Sequence, residues 1–420
     1  MKIAVFHPFF DVFGGAEKII LTLCSNISRN YGFCDLYTPH FPKEGYQFLK
    51  YSSRENIRII TSNSKLRKSR LSGVKFNPLF LIDILNLAKK AKMKKYDAVI
   101  SCNWPSIIVP YIAKKYFGLE TEILLYLCLE PDHGLHYKRL FGKFPYSENA
   151  GLIERMKLVF ALPYLTLMRG LDYKIINQQN CLITLSNNIR NKVKKVFGTR
   201  IYNKTYPVLH DYVNPSLFYP NKKYNKILRK KYNIPFNHSI IFSLGRLTGY
   251  PKKTYLVIEA AKHLLKKTNK FTVLIGGTGP EKQNLVELVK RYKLDDKIIF
   301  LGFVEENDLP KYYNLCDIFI FTAYDEPSGP LTMLEAMACE KPVVISKSGG
   351  PLEIIENKKD GLFAEPNSAQ DYADKMMFLV SNKNIAEKIA KAGRKNVLAN
   401  FTEELFFRHF DAFLKQILNK

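Results

Sequence analysis

The organisation of the fold is clearest in residues 318–345, which have the sequence IFIFTAYDEPSGPLTMLEAMACEKPVVI. Four apolar residues at 318–321 predict a buried strand, and residues 342–345 predict a second one. Between them lies a polar turn with Gly and Pro, followed by a helical run that begins at Pro330. A strand, a helix and a strand in this order predict a parallel β-sheet with helices packed on its faces.

The same alternation of strands and helices extends along most of the chain. Further strands are predicted at residues 2–6, 98–101, 123–127, 182–185, 239–244, 271–275 and 298–300, and further helices at 16–28, 188–197, 255–265 and 281–292. Residues 206–225 contain three prolines and no helical period, which indicates a link between two domains. We therefore predict an α/β fold of two doubly wound parallel-sheet (Rossmann-like) domains that face each other across a cleft.

The first domain is predicted at residues 1–210 and the second at residues 211–395. Residues 396–420 include an aromatic-rich amphipathic helix, which we expect to pack back toward the first domain. Doubly wound sheets bind their ligands at the carboxyl ends of the strands, so the predicted cleft is where a ligand is expected.

Positive charge dominates the composition. The 420 residues include 64 Lys and Arg against 38 Asp and Glu, a formal net charge of +26. Residues 1–210 contribute +18 (32 basic, 14 acidic) and residues 211–420 contribute +8 (32 basic, 24 acidic). This excess indicates attraction to the phosphates of a nucleic acid, an anionic lipid or an anionic substrate, with a merely solvated surface as the alternative. Hydrophobic residues at 46% and charged residues at 24% exclude the disordered and fibrous classes.

The seven cysteines are scattered, without a Cys-x-x-Cys pair or a His at zinc-ligand spacing. This pattern predicts a reducing compartment and no structural metal site. The N-terminus resembles a first strand rather than a secretory signal, and the longest apolar stretch, residues 158–168, is too short to cross a bilayer. The expected location is therefore cytoplasmic, and peripheral on the inner face of the membrane if the basic surface binds lipid.

Two turns at strand ends carry features of a phosphate site. Residues 13–17, Phe-Gly-Gly-Ala-Glu, join the first strand to the first helix, where free backbone N–H groups favour a phosphate. The motif is not Gly-x-Gly-x-x-Gly, so a nicotinamide cofactor is not indicated. Gly245 and Arg246 end a later strand, and Lys252 and Lys253 follow on the loop, so two cations there suit a pyrophosphate. For both turns, an ordinary connection is the alternative.

Two further turns, residues 276–281 (GGTGPE) and 348–353 (SGGPLE), also join a strand to a helix. Their backbone amides suit a nucleotide or a sugar, and a tight connection is the alternative. Residues 324–335 are the most informative, because their carboxylates can accept hydrogen bonds from sugar and ribose hydroxyls while the helix N-terminus faces a phosphate. Glu326 lies on the loop and Glu335 in the helix. A plain interaction with the helix dipole is the alternative for Glu335.

Together, these motifs resemble those of glycosyltransferase family 4, whose architecture is called GT-B. The motifs occur in the family's order and cover nearly the whole chain: GGAE at 14–17, GR with the following Lys, GTGP at 277–280, EPSGPLTMLEAMACEKPVV at 326–344 and SGGPLEII at 348–355. The resemblance implies a retaining glycosyltransferase that moves a hexosyl unit from a nucleoside-diphosphate sugar without a bound metal. The sequence contains no Asp-x-Asp motif, which agrees with a metal-free site.

The resemblance also implies a role for individual residues. Arg246 and Lys252 hold the donor pyrophosphate, Glu326 meets the donor sugar, and these three form the catalytic set. Glu335 binds the ribose hydroxyls. The complete donor-binding set consists of Gly14, Gly15, Gly245, Arg246, Lys252, Gly279, Glu326, Gly329, Pro330, Leu331 and Glu335. In such a mechanism the pyrophosphate leaves on the face that the acceptor attacks, and nearby cations and helix N-termini stabilise its charge.

Three departures from the family pattern concern spacing and a histidine. Eight residues, rather than the usual seven, separate Glu326 from Glu335, and the spacing from Arg246 to Lys252 is also one residue longer. Many relatives have a His directly before an acidic or Thr residue and a Pro, whereas Leu129 precedes Glu130 here. Glu130 and His133, a few residues on, are therefore the acceptor-side candidates, and a site without a His is the alternative.

In the family that this sequence resembles, the first domain binds the acceptor and the second domain binds the donor. The expected partners are a nucleotide-sugar donor, a glycan or polyprenyl-linked acceptor of the cell-envelope polysaccharide, glycolipid or N-glycan precursor type, and an anionic membrane surface. Basic clusters at 65–70 and 89–95, and the mixed apolar and basic segment 151–171, are the candidate membrane contacts, with a buried helix as the alternative for 151–171.

Two other functions compete with a glycosyltransferase. A nucleotide-sugar epimerase of the same fold needs acid and base groups around the sugar, and a non-catalytic basic binding protein of this fold needs no site at all. No nucleic acid is expected as a partner, because the sequence has no helix-turn-helix or RNP signature. No cofactor is expected beyond the nucleotide sugar as co-substrate.

Overall fold

The computed structural model describes residues 1–8, 10, 14–43, 45–46, 49, 56–62, 79–103, 105–129, 163, 166–167 and 169–418. The chain divides into two compact units, residues 1–209 with 409–420, and residues 210–408. Each unit contains one parallel β-sheet. Residues 396–408, which the sequence analysis placed in the last segment, group with the second unit.

The first unit contains a seven-stranded parallel sheet in the order β3-β2-β1-β4-β5-β6-β7. Its strands are β1 (Ile3–Phe6), β2 (Cys34–Thr38), β3 (Ile57–Thr61), β4 (Ala98–Cys102), β5 (Ile123–Cys128), β6 (Cys181–Thr184) and β7 (Thr205–Val208). Its helices include α1 (Gly15–Tyr31), α2 (Leu79–Lys90), α3 (Ile108–Tyr116) and α4 (Asn187–Tyr202). Every residue of β1, β2, β4, β5 and β6 is buried, as expected for parallel strands that are covered on both faces.

The second unit contains a six-stranded parallel sheet in the order β10-β9-β8-β11-β12-β13. Its strands are β8 (Ser239–Leu244), β9 (Phe271–Gly276), β10 (Ile298–Gly302), β11 (Ile318–Phe321), β12 (Val343–Ser346) and β13 (Leu362–Ala364). Its helices are α5 (Asn225–Lys231), α6 (Tyr255–Leu265), α7 (Lys282–Arg291), α8 (Leu309–Leu315), α9 (Leu331–Ala338), α10 (Ala369–Ser381) and α11 (Lys383–Asn400). A last helix, α12 (Glu403–Leu418), begins in this unit and continues into residues grouped with the first.

The strand order reverses once in each sheet, between β1 and β4 in the first and between β8 and β11 in the second. Successive strands are added outward on one side of the reversal and then outward on the other, which is a doubly wound arrangement. The predicted α/β fold with two doubly wound parallel sheets is confirmed. Ligands of such sheets bind beside the reversal, at the carboxyl ends of the strands.

The predicted link between the domains, residues 206–225, starts within the last strand of the first sheet rather than after it. Residues 205–208 form β7, which pairs with β6 at the edge of the first sheet. Pro207 lies in this strand, and an edge strand tolerates a proline because one side of it forms no ladder hydrogen bonds. Proline content alone therefore did not separate an edge strand from a connecting segment.

Strand β2 was not predicted because Asp35 interrupts its apolar run. The Asp35 carboxylate is fully buried and accepts hydrogen bonds from the Arg58 guanidinium at 2.7 and 2.5 Å and from the Tyr96 hydroxyl. A buried charge is tolerated when it is paired in this way. The partners come from β3 and from the residues before β4, so only the tertiary structure makes Asp35 compatible with a buried strand.

Candidate functional site

Two side chains predicted for the donor site meet at the reversal of the second sheet. Lys252 lies on the loop after β8, and Glu326 lies on the loop after β11. The Lys252 Nζ atom donates a hydrogen bond to Glu326 Oε1 at 2.5 Å, and the two side chains are 19% and 12% exposed. The ion pair is thus largely shielded from water, where the attraction between the charges is stronger than at an open surface.

The backbone around this ion pair is connected across the two loops. The Thr322 hydroxyl lies 3.1 Å from the carbonyl oxygens of both Lys252 and Lys253, and it donates to them. The Tyr324 N–H donates to the Pro251 carbonyl oxygen at 2.9 Å. The Lys252 ammonium also lies 5.0 Å from the centre of the Phe321 ring. These contacts join the loop after β8 to the loop after β11, and they fix where Lys252 meets Glu326.

Lys253 has a different environment from Lys252. Its ammonium donates to Asn367 Oδ1 at 2.5 Å and lies 4.8 Å from the centre of the Tyr324 ring. Its backbone has a φ of 49°, in the left-handed region, so the backbone conformation at Lys253 is unusual for a residue with a side chain. The geometry therefore distinguishes two lysines that are adjacent in the sequence, and it is Lys252 that contacts the predicted glutamate.

Arg246 is exposed and forms no ion pair with any residue that the structure describes. The segment that carries it is held by the turn after β9. The Leu247 N–H donates to the Thr278 carbonyl at 2.9 Å, and the Leu247 carbonyl accepts from the Glu281 N–H at 3.0 Å. A Cβ atom on Gly279 would lie 2.2 Å from the Leu247 carbonyl oxygen. Gly279 is thus needed for the close approach of these two backbones, a structural role beside the donor contact that the resemblance implies.

The turn after β12 holds the segment that carries Glu326 in a similar way. The Gly350 N–H donates to the Glu326 carbonyl oxygen at 2.8 Å. A Cβ atom on Gly349, which has a φ of 68°, would lie 2.2 Å from the same oxygen. A Cβ atom on Gly350 would lie 2.3 Å from the Ser328 carbonyl carbon. Both glycines therefore allow one loop backbone to pack directly on the other.

Glu335 is buried in the helix α9 and is 6% exposed. Its Oε2 atom accepts a hydrogen bond of 2.6 Å from the hydroxyl of Tyr313, a residue of α8 that is completely buried. Burial, together with the negative charge of Glu335, raises the pKa of Tyr313 well above its ordinary value, so the hydroxyl keeps its proton and remains a donor. Tyr313 had no sequence signal as a site residue, because 22 positions separate it from Glu335.

The residues between the two glutamates form the start of α9. Gly329 is buried, and a Cβ atom there would lie 2.0 Å from Ile354 Cδ1. Pro330 precedes the first helical residue, Leu331, so the predicted helix start is correct to one position. The N-terminus of α9 therefore lies between Glu326 and Glu335, where its partial positive charge is available to an anion.

At the start of α1, the backbone N–H of Gly14 has a partner within the helix itself. It donates to Glu17 Oε2 at 2.9 Å, as in a capping box. The acidic residue of the GGAE motif therefore reaches back to cap the first N–H group, and this contact does not test the predicted phosphate site at the other N–H groups of the helix start. The contact of Gly14 and Gly15 with a donor or acceptor stays a prediction.

Asp211 is a second residue near this site, after Tyr313, that no sequence motif indicated. Its carboxyl group is buried and accepts a hydrogen bond from the Ser328 hydroxyl, on the same turn as Glu326. It precedes β8 by many residues and belongs to no motif, so only the folded chain brings it to the loop after β11.

Several predicted features lie outside the described residues. They are Glu130, His133, the basic cluster at 65–70 and most of the segment 151–171. Within the part of the chain that is described, no helix is long and apolar enough to cross a membrane. The same described residues contain no group of three or more His, Cys, Asp and Glu side chains placed to hold a metal ion. Metal independence remains a prediction.

Residues 225–396 match the family model described as Glycosyl transferases group 1. The chain is 21% identical over 380 residues to N-acetyl-alpha-D-glucosaminyl L-malate synthase of Bacillus anthracis, an alignment that covers 90% of this chain and 89% of that protein. The Anabaena protein HepE, solved with UDP and glucose, superposes with a TM-score of 0.74 at 18% identity, over 99% of this chain and 100% of that one. Together, these comparisons support the GT-B glycosyltransferase superfamily for this chain.

The chain is also 27% identical over 237 residues to an uncharacterized glycosyltransferase of Methanocaldococcus jannaschii. This alignment covers 56% of this chain and 60% of that protein. The matched family region contains Arg246, Lys252, Glu326 and Glu335, whereas Gly14 and Gly15 lie outside it. The family match therefore lies within the second unit, whereas the alignment with the Bacillus anthracis protein and the superposition with HepE extend across both units. The roles of the individual donor-side residues stay predictions.

Proposed function

We propose that this chain is a retaining glycosyltransferase that moves a hexosyl unit from a nucleoside-diphosphate sugar to a glycan or lipid-linked acceptor. The observation that carries the proposal is the Lys252–Glu326 ion pair beside the strand reversal of the second sheet, with Arg246 exposed on the same loop as Lys252. HepE, one of the solved structures that share this fold, has also been crystallised with UDP-glucose. No observation favours the alternative of an epimerase.

In this proposal the ion pair balances the charges of the site before the donor arrives. The donor pyrophosphate competes with Glu326 for the Lys252 ammonium, and Glu326 then accepts hydrogen bonds from the sugar hydroxyls. Arg246 supplies a second, bidentate donor to the phosphates, and the N-terminus of α9 adds a partial positive charge. Glu335, oriented by the Tyr313 hydroxyl, accepts from the ribose hydroxyls.

The transfer step in this proposal needs charge stabilisation more than an enzymic nucleophile. The bond between the anomeric carbon and the donor phosphate breaks, and the acceptor hydroxyl oxygen forms the new bond on the same face. The leaving diphosphate keeps the electron pair of the broken bond and takes the proton of the acceptor hydroxyl. Lys252 and Arg246 lower the barrier by holding the charge that develops on the leaving phosphate.

A donor screen tests the reaction itself. The purified protein is incubated with UDP-, GDP- and ADP-sugars and with extracted polyprenyl phosphates, and the products are identified by mass spectrometry. We expect one donor class to give an acceptor mass increase of one hexosyl unit. Release of free sugar or interconversion of the donor, with no glycosylated acceptor, would contradict the proposal.

Nucleoside diphosphates are expected to bind without a divalent metal, because Lys252 and Arg246 provide the cationic contacts. The measurement is calorimetry with UDP, GDP and ADP in excess EDTA, repeated with added Mg²⁺. The dissociation constant for the preferred diphosphate is expected to agree within about threefold between the two conditions. Binding that disappears with EDTA and returns with Mg²⁺ would contradict metal independence.

We further propose that the first unit binds an anionic membrane surface, and α2 carries the argument. Leu81, Ile82 and Leu85 lie on one face of this helix and are 42 to 51% exposed. The same helix ends in Lys89 and Lys90, both exposed. An apolar face with adjacent lysines suits the boundary between headgroups and acyl chains, and each charge near an anionic surface adds roughly 1 kcal/mol.

Vesicle flotation tests this membrane proposal. We expect recovery on vesicles with anionic lipid to exceed recovery on neutral vesicles, and to fall with salt because the Debye length shortens from about 10 Å at 0.1 M. Leu81→Gln/Leu85→Gln is expected to lower recovery severalfold, whereas Ile385→Gln, at a partly exposed apolar residue of α11 in the second unit, is the matched control and should leave it unchanged. Equal recovery on the two vesicle types would refute an anionic partner.

A further inference from the structure

Asp211 is a buried acid next to the proposed donor site, at the start of the second unit. It is 4% exposed, and its Oδ2 atom accepts a hydrogen bond from the Ser328 hydroxyl. Its Oδ1 atom is buried without a hydrogen-bond partner among the described residues. Burial of a carboxylate with one oxygen unpaired is unfavourable in free energy, so the folded chain disfavours the ionised form of this acid.

Ser328 connects Asp211 to Glu326. Ser328 and Glu326 both belong to the turn after β11, and this turn packs between the Asp211 carboxyl group and the Gly350 backbone. The Gly350 N–H donates to the Glu326 carbonyl oxygen at 2.8 Å, and the Gly350 backbone lies directly against Ser328. The position of Glu326 is thus set from two sides, by the Ser328–Asp211 hydrogen bond and by the glycine turn.

The charge of Asp211 depends on pH in the neutral range. Burial raises the pKa of Asp211 to about 7, the hydrogen bond from Ser328 opposes this rise, and the negative charge of Glu326 adds to it. Glu326 is the charged group that acts on Asp211 from the loop after β11, and Lys252 on the loop after β8 is paired with Glu326. On its own segment, Asp211 follows His210.

We propose that Asp211 is a positioning residue of the donor site, which holds the Glu326 turn through Ser328 and weakens binding of a nucleoside diphosphate when its carboxyl group ionises. The proposal rests on the proposed function, since it takes the Lys252–Glu326 pair to be the diphosphate site. Lys252 and Glu326 together are close to neutral, so an ionised Asp211 adds a negative charge beside an anionic ligand. By linkage, the bound diphosphate in turn favours the protonated acid.

The direct test compares UDP binding to the parent protein and to Asp211→Asn across pH. The side-chain amide of the Asp211→Asn variant still offers an oxygen that accepts a hydrogen bond from Ser328. Like the protonated acid it carries no charge, and unlike the acid it does not ionise at any pH tested. We expect the two dissociation constants to agree at about pH 6 and the parent's to be on the order of fivefold larger at about pH 8.5. The quotient of the two constants is the readout, because the ionisation of UDP itself affects both proteins equally.

A second measurement needs no ligand. The folded-state pKa of Asp211 lies above the unfolded value of 3.8, so the folded chain holds the proton more tightly and loses stability as pH rises from about 4 to about 7, with no further loss above. Asp211→Asn does not undergo this loss. The Tm of the variant relative to the parent should therefore increase from about pH 5 to about pH 7.5. Asp295→Asn, at an exposed acid before β10, is the control for the loss of one acidic side chain, and its Tm series is compared with that of Asp211→Asn.

The outcomes separate the inference from the proposed function. If UDP and the other diphosphates fail to bind at every pH, the proposed function is wrong and the Tm series alone decides whether Asp211 titrates. If UDP binds but both the quotient and the Tm difference are independent of pH, Asp211 has no such role. Ser328→Ala is a second variant: it removes the hydrogen bond that opposes the raised pKa, so the pH dependence should move to higher pH, and no movement would also overturn the inference.

Discussion

Lys252→Met is expected to lower the rate of sugar transfer by roughly 100- to 1,000-fold, the loss typical for removal of one preorganised electrostatic contact. The ammonium is the one cation seen in contact with Glu326 among the described residues, at 2.5 Å, and the proposal makes it the main partner of the leaving diphosphate. Calorimetry with UDP and single-turnover kinetics with the identified donor are the measurements. A loss of affinity for UDP should accompany the loss of rate.

Lys253→Met is the matched control for this experiment. It removes the same charge at the next position, but from a side chain that contacts Asn367 instead of Glu326. We expect its rate to stay within about threefold of the parent. The double variant Lys252→Met/Glu326→Gln removes both charges, so it checks that the single variant does not fail merely because Glu326 loses its partner. If Lys253→Met is the more damaging substitution, the assignment of the pyrophosphate contact to Lys252 is wrong.

Glu335→Gln is expected to reduce the affinity for nucleotide sugars and for the nucleoside monophosphate by roughly 10- to 100-fold, because a hydrogen bond to a charged group contributes about 1.5–3 kcal/mol. The glutamine oxygen can still accept from the Tyr313 hydroxyl, so the packing of α9 on α8 should be retained. The monophosphate shares the ribose with the complete donor and therefore reports on this contact alone. Binding is measured by calorimetry.

Glu326→Gln should behave differently, since it is expected to meet the sugar. Monophosphate binding should remain at the parent level while transfer falls. Glu340→Gln, just beyond α9, serves as the control for a neutralised carboxylate in the same region and should change neither quantity. If Glu335→Gln and Glu326→Gln both leave binding and turnover within twofold of the parent, the ribose and sugar assignments are wrong, and Glu335 only complements the helix.

The sequence alone predicted the features that depend on local spacing. The apolar runs at 318–321 and 342–345 are β11 and β12 to within one residue, and the helix after Pro330 is α9. The placement of Lys252 and Glu326 on loops at strand carboxyl ends also followed from local pattern, because parallel strands bring such loops to one edge. The pattern did not reveal Asp35 in β2 or Pro207 in β7, where pairing of the buried carboxylate with Arg58 and the position at a sheet edge overrule the local preference.

The glycine-rich turns after β9 and β12 could not be interpreted from local sequence alone. From sequence, the turns at 276–281 and 348–353 were equally consistent with ligand contacts and with tight connections. In the structure, Gly279 allows contact with Leu247, and Gly349 and Gly350 allow contact with Glu326 and Ser328. Which backbone approaches a glycine depends on strand order, which the sequence of one turn does not contain.

The sequence by itself determined the two parallel sheets, the start of α9 and the identities of the charged residues near the second strand reversal, because each depends on residues close together in the chain. Only the tertiary structure decided that Lys252 contacts Glu326, that Tyr313 holds Glu335, and that Asp211 lies against Ser328. These pairs are separated by 74, 22 and 117 positions. The two residues of each pair come into contact because of the order of the strands and the burial of the segments between them. Neither the strand order nor this burial is specified by a periodicity or motif within a short stretch of sequence.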